Sequence, residues 1–564
     1  MRLLDSTTLR PEVFLGSNIP KYAILSHTWE NEEVSYQDLS TLTFQTKKGW
    51  QKIRKTCELA RQVNIDWVWV DTCCIDQSSS AELTEAINSM FRWYGRAAKC
   101  IAYLSDLPVE SDIDSALPRC RWFTRGWTLQ ELISPSIVQF FDEEWHYRGS
   151  KHDLSKQIMT ITHIPEDVLL GKTPLSTLPV AQRMSWAAAR KTSRLEDAAY
   201  CLFGIFDVNM PLLYGEEEKA FRRLQLEIIR STPDLSIFGW TISMNAQLCP
   251  GWTPGSTAYA SVLAPSPEAF TNCADYAKLS SRPTGELAIS NLGVKATVQL
   301  IYTEMTETKG FKYVLPLYCR NRRYENLGVD LRKCGPDQFV RANPACLVTI
   351  KPTSNAEAPR ERHLITSMLF LDHAAPSTYF SNASLISRCR SGVLQIRLGL
   401  ALVMHDVWPW ARFDDQDQLF FVANEGYGNW DSATLRMGVA NHKGRECMFY
   451  ATGWSAHSKQ SLQCSIVDYE RFKPAIKDIQ DSLVRWNYDR IRVRSSLHAA
   501  RIPRQPAVFF EGSNDRGYMG ISFELTLVKE SSVCCRPFWR VEFSCKHYTN
   551  KNFPTMARES WSST

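Results

Sequence analysis

Four short apolar segments, separated by stretches of helical periodicity, dominate the first 150 residues. The segments read YAILS, WVWV, CIAYL and IVQFF, and they begin at Tyr22, Trp67, Cys100 and Ile137. Strands that are buried on both faces of a parallel sheet have this continuous apolar character. Between the first two segments, Ile53, Cys57 and Ala60 follow the i, i+4, i+7 spacing of a helix that packs on a sheet. The alternation predicts an α/β fold with a parallel sheet wound with helices.

The pattern changes twice after about residue 150. Residues 151–245 have mostly helical character, and the segment 216–229 starts with three glutamates and then spaces Ala220, Leu224 and Ile228 as one apolar stripe. Short β-like runs follow, at 315–319, 347–350, 393–398, 419–422 and 538–543. Because 564 residues exceed one hydrophobic core, we expect an α/β domain at 1–150, a helical extension at 151–245, and a β-rich sandwich or barrel at 246–564, in one subdomain or two.

Composition and charge argue against several classes of protein. The chain is 44% hydrophobic and 22% charged, as in ordinary globular proteins, and its net charge of +5 is small for this length. No long run of Lys or Arg indicates nucleic acid, and no apolar stretch is long enough to span a membrane. The 17 cysteines form no C-x-x-C pair, so we expect no metal site, free thiols and, without a signal peptide at the start, a cytoplasmic protein.

The segment RWFTRGWTLQELISP, residues 121–135, contains the first candidate site. It places Trp127 and Glu131 four residues apart, so on a helix both side chains lie on one face. An apolar wall formed by the indole would raise the pKa of the acid or hold the acid against a substrate hydroxyl. The alternative is that Leu129 and Leu132 anchor a core helix while Glu131 is solvated.

Further polar residues follow the predicted strands. Ser26, His27 and Asp71 lie at the carboxyl ends of the first two strands, where parallel sheets bind ligands. His27 either donates a hydrogen bond to a substrate or packs its loop against Trp29, and Asp71 either contacts a ligand or caps the following loop. Cys74 lies near these residues in the sequence, but no sequence signature of a cysteine protease accompanies it.

Four motifs in a fixed order resemble the HET (heterokaryon incompatibility) domain of filamentous fungi. They are YAILSHTW at 22–29, WVWVDTCCIDQ at 67–77, MFRWYGRAAKCIAYLSD at 90–106, and RGWTLQELISP. The resemblance covers residues 20–150, and DAAYCLFGIFDVNMPLLYGE at 197–216 resembles the segment that follows the domain in many such proteins. It implies an intracellular protein of self/non-self recognition that triggers incompatibility cell death. It implies no activity for the β-rich remainder, which resembles the variable carboxyl half of the family.

The HET domain in turn resembles TIR (Toll/interleukin-1 receptor) domains, which implies a flavodoxin-like sheet. Plant-type TIR sequences place a Trp, three residues and then the catalytic Glu at this point of the chain, and here residues 127–132 read WTLQEL. The resemblance therefore implies that Glu131 is the catalytic acid of an NAD glycohydrolase and that Trp127 lines its pocket. NAD is then a substrate, and no cofactor is expected.

The same resemblance implies the rest of the binding site. Ser26, His27, Trp29 and Asp71 would lie near the dinucleotide, while Arg125 would either contact a phosphate or remain a solvated or capping residue. We expect the HET domain to self-associate. For the carboxyl-terminal region three roles are open: to bind a protein partner, to inhibit the HET domain, or to support assembly. The alternative function is a non-catalytic signalling and oligomerisation module, in which Trp127 and Glu131 belong to an interface.

Overall fold

The computed structural model describes residues 1–350, apart from residues 17, 41, 244–257, 280–284, 292, 305–310 and 336–337, and a set of β-strands beyond residue 350. The strands and helices are numbered below in chain order.

A mixed sheet of seven strands forms the centre of the amino-terminal region. Its strands are β1 (Arg2–Asp5), β2 (Pro11–Val13), β3 (Tyr22–His27), β4 (Trp67–Trp69), β5 (Lys99–Tyr103), β6 (Val138–Phe141) and β7 (Tyr147–Ser150). The order across the sheet is β2-β1-β4-β3-β5-β6-β7, and β4, β3, β5 and β6 are mutually parallel. The predicted parallel strands are thus confirmed as the centre of the sheet. The antiparallel edges formed by β1, β2 and β7 were not predicted, because these strands are short and carry polar residues.

Five helices accompany this sheet: α1 (Trp50–Arg61), α2 (Asp71–Cys74), α3 (Ser80–Arg96), α4 (Ile113–Ala116) and α5 (Thr128–Ile133). Helix α1 buries Ile53, Cys57 and Ala60, as its spacing predicts. Ser79 is the N-cap residue of helix α3, and its side chain accepts a hydrogen bond from the backbone N–H of Glu82. Helix α5 is much shorter than α1 and α3, and all six of its residues are buried.

The helical extension consists of α6 (Ser155–Thr162), α7 (Glu166–Leu169), α8 (Val180–Ser185), α9 (Asp197–Tyr200), α10 (Phe203–Phe206) and α11 (Lys219–Ser231). Helix α11 buries the predicted stripe of Ala220, Leu224 and Ile228, but it begins after the three glutamates rather than at the first of them. Glu216 instead accepts hydrogen bonds from Tyr200 and Arg223. No helix in the described part of the chain is long and apolar enough to cross a membrane.

The described residues of the β-rich region form three sheets that are largely antiparallel. The first comprises β8 (Tyr259–Ala260), β9 (Ala277–Lys278), β10 (Leu287–Ser290), β11 (Gly293–Glu304), β12 (Phe311–Arg320), β13 (Asn326–Gly335), β14 (Gln338–Ala342), β15 (Val348–Ile350) and β16 (Arg362–Leu371). The second comprises β17 (Val393–Leu398), β19 (Phe413–Asp414), β20 (Leu419–Phe421), β24 (Ala507–Asn514), β25 (Gly517–Glu530) and β26 (Phe538–Thr549). The third comprises β18 (Leu402–Trp408), β21 (Asp431–Val439), β22 (Glu446–Trp454) and β23 (Gln463–Asp468). Strands β12, β15, β17, β20 and β26 contain the described residues of the five β-like runs found in the sequence, apart from Leu347.

The helical extension and the first β-rich sheet share buried polar contacts. Arg341 of β14 is fully buried, donates hydrogen bonds to the carbonyl oxygens of Phe238 (2.6 Å) and Trp240, and lies 3.9 Å from the centre of the Trp240 ring. The Trp240 indole N–H donates to the carbonyl of Val262 at 2.8 Å. Apolar residues from the amino-terminal sheet as far as β14 form one hydrophobic cluster. The predicted boundary near residue 245 therefore lies between segments that pack on each other.

Candidate functional site

The candidate site lies at the carboxyl ends of β3 and β4, beside helix α5. Ser26 and His27 are the last two residues of β3, and Asp71 is the first residue of the short helix that follows β4. Glu131 occupies the middle of α5. The carboxyl ends of parallel strands meet at one edge of a sheet, which is why Ser26 and His27 of one strand and Asp71 after the next come together near Glu131.

Glu131 is only 4% exposed. The hydroxyl of Ser26 donates a hydrogen bond to its Oε2 atom, and the indole N–H of Trp122 donates to the same hydroxyl oxygen at 2.8 Å. Leu129 and Leu132 are core residues, as the alternative interpretation of this helix expects. That interpretation is wrong about Glu131, however, because a solvated acid would not lie in a buried chain of hydrogen bonds.

Burial raises the pKa of Glu131 from its ordinary value of 4.5 to about 8, and the negative charge of Asp71 contributes in the same direction. Hydrogen bonds from Ser26 and Tyr94 and the positive charge of Arg125 oppose the rise but do not cancel it. The acid is therefore mostly protonated and uncharged at pH 7. A carboxyl whose pKa is moved this far by burial and a charged neighbour, at the ligand-binding edge of a sheet, is typical of functional sites.

Asp71 has the opposite protonation state. Its Oδ1 atom accepts a hydrogen bond from the backbone N–H of Thr72 (2.8 Å) and lies 3.0 Å from Nε2 of His27, while Oδ2 accepts from the indole N–H of Trp29 at 2.8 Å. Burial acts to raise the pKa of Asp71, but His27 and these hydrogen bonds together outweigh it and leave the pKa lowered. The site thus combines a neutral acid with an ionised one, the separation on which acid and base roles depend.

His27 lies between two acids. Its side chain is 1% exposed, with Nε2 facing Asp71 and Nδ1 lying 3.9 Å from Oε1 of Glu33, too far for a hydrogen bond. Nδ1 is buried and has no hydrogen-bond partner in the described part of the chain. Glu33 is itself paired with Lys52, whose Nζ lies 2.5 Å from the carboxylate and also donates to the carbonyl of Thr28. Sequence reasoning missed Glu33 and Lys52, since neither follows a strand nor belongs to a motif.

Three predicted residues lie around this cluster. Trp29 is 43% exposed, so its ring faces solvent while its N–H is held by Asp71. Trp127 immediately precedes α5 and is half-buried. Burial raises the pKa of Asp197 in α9, and Trp127 acts against this rise. Arg125 is half-buried and its charge acts on Glu131.

Cys74 does not point into the site. Its Sγ atom lies 3.4 Å from the backbone N of Val70 and 3.9 Å from the carbonyl oxygen of Val68, inside the sheet, and the residue is 2% exposed. A hydrogen bond to Cys74, together with burial, raises the pKa of the neighbouring Cys73 thiol well above its usual range. Neither arrangement suits a nucleophilic thiolate. Among the described residues, no group of three His, Cys, Asp or Glu side chains is placed to hold a metal ion.

Two segments of the chain match known families. Residues 22–117 match the family model "Heterokaryon incompatibility protein (HET)", and residues 219–309 match a domain of unknown function, DUF8212. The HET match contains the first three of the four motifs, and the fourth, RGWTLQELISP, lies beyond the matched residues.

A curated relative extends the similarity. The chain is 50% identical over 242 residues to the protein named "Vegetative incompatibility protein HET-E-1" of Podospora anserina. The alignment covers 40% of this chain but only 18% of that relative, so the chain spans less than a fifth of the relative's length. No solved structure matches the chain significantly.

Proposed function

We propose that this chain is a vegetative incompatibility protein that acts in the cytoplasm and triggers cell death through its HET domain, by hydrolysing NAD at Glu131. The match to the HET family and the name of the relative support the first part. The second part depends on one observation, the buried, protonated carboxyl of Glu131 beside the ionised Asp71. The parallel order β4-β3-β5-β6 also supports a TIR-like, flavodoxin-type arrangement, in which this edge of the sheet binds the substrate.

The protonation state suits a cationic substrate. The nicotinamide ring of NAD carries a positive charge, and a cation placed beside a carboxyl group favours its ionised form. Binding would therefore release the proton of Glu131 to solvent and leave a carboxylate facing the ribose. As the bond between nicotinamide and ribose breaks, its electron pair leaves with the nicotinamide, which becomes neutral. The carboxylate offsets the charge that develops on the ribose, and water supplies the new hydroxyl and releases a proton.

The neighbouring residues have complementary roles in this proposal. Asp71 holds the Trp29 indole at 2.8 Å, so that an exposed aromatic face is available for stacking on the substrate. His27 fixes the other oxygen of the same carboxylate. The positive charge of Arg125 suits a phosphate of the dinucleotide.

The closed state of the site supports control by assembly. With 4% of Glu131 exposed, a substrate reaches the acid only after the site opens. We propose that self-association of HET domains supplies this opening, so that the isolated chain has low activity. The β-rich region would then bind the partner that brings the chains together.

The test is expression of the full chain in cells, with NAD content and viability followed together. We expect wild type to deplete NAD before viability falls, and Glu131→Gln and Glu131→Ala to do neither. Glu12→Gln is the matched control, because Glu12 is an exposed acid on the edge strand β2, and it should behave as wild type. If the folded wild-type protein is toxic without NAD loss, hydrolysis is not its function.

The same closure favours a second candidate, a signalling module without catalysis. In that case the hydrogen bonds that join Trp122, Ser26 and Glu131 form a buried polar cluster that fixes α5 on β3, and toxicity comes from assembly alone. Glu131→Gln keeps a hydrogen-bonding group of the same shape, so a toxic, folded Glu131→Gln protein with normal NAD levels would favour this module over the enzyme.

A further inference from the structure

We infer that Arg190 and Lys151 are positioning residues that hold the two ends of α5 and thereby place Glu131; the inference rests on the role proposed for Glu131. Both residues lie outside the segment 22–117 that matches the family model. Sequence reasoning selected neither of them. Each contributes a cation to one end of the six-residue helix.

Helix α5 is too short to be stable by itself. Isolated helices of fewer than about 12 residues are marginal in water, because the nucleus is costly and few internal hydrogen bonds follow. Six residues also leave most backbone groups at both ends without a partner inside the helix. Trp127, at the amino-terminal cap position, provides no side-chain cap. The position of α5, and with it that of Glu131, is therefore set by groups outside the helix.

Arg190 holds the amino-terminal end. Its Nη1 donates to the carbonyl of Arg125 at 2.8 Å and to the hydroxyl oxygen of Thr128 at 2.9 Å, and its Nε donates to the carbonyl of Trp186 at 3.2 Å. The Thr128 hydroxyl lies 2.5 Å from the carbonyl oxygen of Trp122. One guanidinium thus joins the helical extension to the first residue of α5 and to the turn that precedes it.

Lys151 holds the carboxyl-terminal end. It follows β7, is 3% exposed, and its Nζ donates to the carbonyls of Leu132 (3.1 Å) and Pro135 (2.5 Å). A cation is favourable at this end of a helix, where carbonyl oxygens lack partners. Its backbone N–H also bonds to the carbonyl of Val138 at 2.8 Å, so the lysine is fixed to the start of β6.

The two contacts define where the carboxyl of Glu131 can be. The hydrogen bond from Ser26 to Glu131 forms only when α5 has one position along its axis and one rotation about that axis relative to β3. A displacement of about 1 Å in a catalytic group lowers the rate by about 100-fold. Loss of the contacts of Arg190 or of Lys151 with α5 should therefore reduce kcat much more than it raises KM, even where the rest of the fold persists.

The experiment compares Arg190→Gln, Arg190→Lys and Lys151→Met with Arg183→Gln in the full chain. Arg183 is a matched control: it is a buried arginine of the helical extension that donates to the carbonyl of Ile205 at 2.9 Å and stacks on Phe206, away from α5. Infrared titration, with Glu131→Gln subtracted to isolate one carboxyl, measures the protonation of Glu131. Turnover of NAD is measured in parallel, and near-ultraviolet circular dichroism checks folding.

We expect the titration midpoint of Glu131 to fall by about one pH unit or more in Arg190→Gln and Lys151→Met, because a displaced carboxyl gains water. Removing a nearby positive charge would by itself raise the pKa of Glu131. A fall in the midpoint therefore indicates that the carboxyl has moved and not merely that a charge has been lost. We also expect kcat to fall by about 10- to 100-fold, with partial rescue in Arg190→Lys. Arg183→Gln should change neither.

If the titration midpoint of Glu131 stays unchanged or rises in both Arg190→Gln and Lys151→Met, the inference is overturned. An equal fall of the midpoint in Arg183→Gln overturns it as well. If wild type does not cleave NAD, the proposed function fails. The titration of the carboxyl still decides whether Arg190 and Lys151 place it.

Discussion

Replacing Glu131 by Gln should stabilise the protein at alkaline pH and leave its stability nearly unchanged in acid. The amide has the shape of the protonated carboxyl and can accept the hydrogen bond from Ser26, but it cannot ionise. Wild type must either keep its proton or bring a negative charge into a buried position next to Asp71. The substitution removes that conflict.

The pKa of Glu131 gives the size and sign of the effect. Folding raises this pKa from 4.5 to about 8, so between these values the folded state keeps a proton that the unfolded state has lost. Stability due to this group is fully present below pH 4.5, falls as the pH rises, and is lost above about pH 8. At about 1.4 kcal/mol per pH unit, the difference corresponds to about 5 kcal/mol, an upper value because water entering the site would reduce it.

Denaturant unfolding of wild type and Glu131→Gln, in parallel from pH 5 to pH 9, measures the difference directly. The two free energies of unfolding should be similar at pH 5 and diverge by several kcal/mol by pH 9, with the variant more stable. Titrating groups that do not interact with Glu131 behave alike in both proteins and cancel. Glu12→Gln should follow wild type throughout. Parallel curves for wild type and Glu131→Gln would refute the burial of an acid with a raised pKa.

Three further substitutions test the packing around the site. Asp71→Asn removes a negative charge and should lower the pKa of Glu131 below 8, measured by infrared titration; an unchanged pKa would mean that the two acids do not interact. Ser26→Ala leaves the buried Glu131 without its donor and should cost about 1–3 kcal/mol in the free energy of unfolding at pH 7. Gly204→Ala would place a Cβ 2.0 Å from the Cβ of Phe91, so α10 must move off α3 at a cost of about 1–3 kcal/mol or more; a neutral effect on thermal unfolding would contradict this packing.

The parallel centre of the amino-terminal sheet could be predicted because each strand is a continuous apolar run. The segment WVWV at 67–70 and the strand Trp67–Trp69 differ by one residue. Strands β1 and β7 could not be found this way, because RLLD and YRGS are only four residues long and carry charged or polar residues. Edge strands need only one partner and little burial, so their sequences carry a weak signal.

The site shows a similar division. Residues at strand ends and in motifs, such as His27 and Glu131, could be selected from sequence, because topology places them at one edge. Lys151 and Arg190 could not, since a lysine after a polar strand and an arginine in a loop resemble solvated surface residues. Their role depends on where α5 ends in space, and no periodicity in the sequence specifies that position.

The domain boundary illustrates a third limit. The sequence pattern predicts a boundary near residue 245, but Trp240 and Arg341 pack on each other across that position. A chain that ends at residue 245 would lack Arg341 and expose the Trp240 ring. A chain that begins there would leave Arg341 without the carbonyl oxygens of Phe238 and Trp240. A truncation meant to test whether the β-rich region restrains the HET domain should therefore end after β16, at residue 371, because β16 lies between β11 and β14 in the first sheet.

The most direct test of the central proposal is release of nicotinamide from NAD by the purified full chain, assayed at high protein concentration to favour self-association. We expect wild type to release nicotinamide and ADP-ribose in equal amounts, and folded Glu131→Gln to release neither above background. Equal release by wild type and Glu131→Gln, or none by an assembled wild-type protein, would contradict the assignment of Glu131 as the catalytic acid.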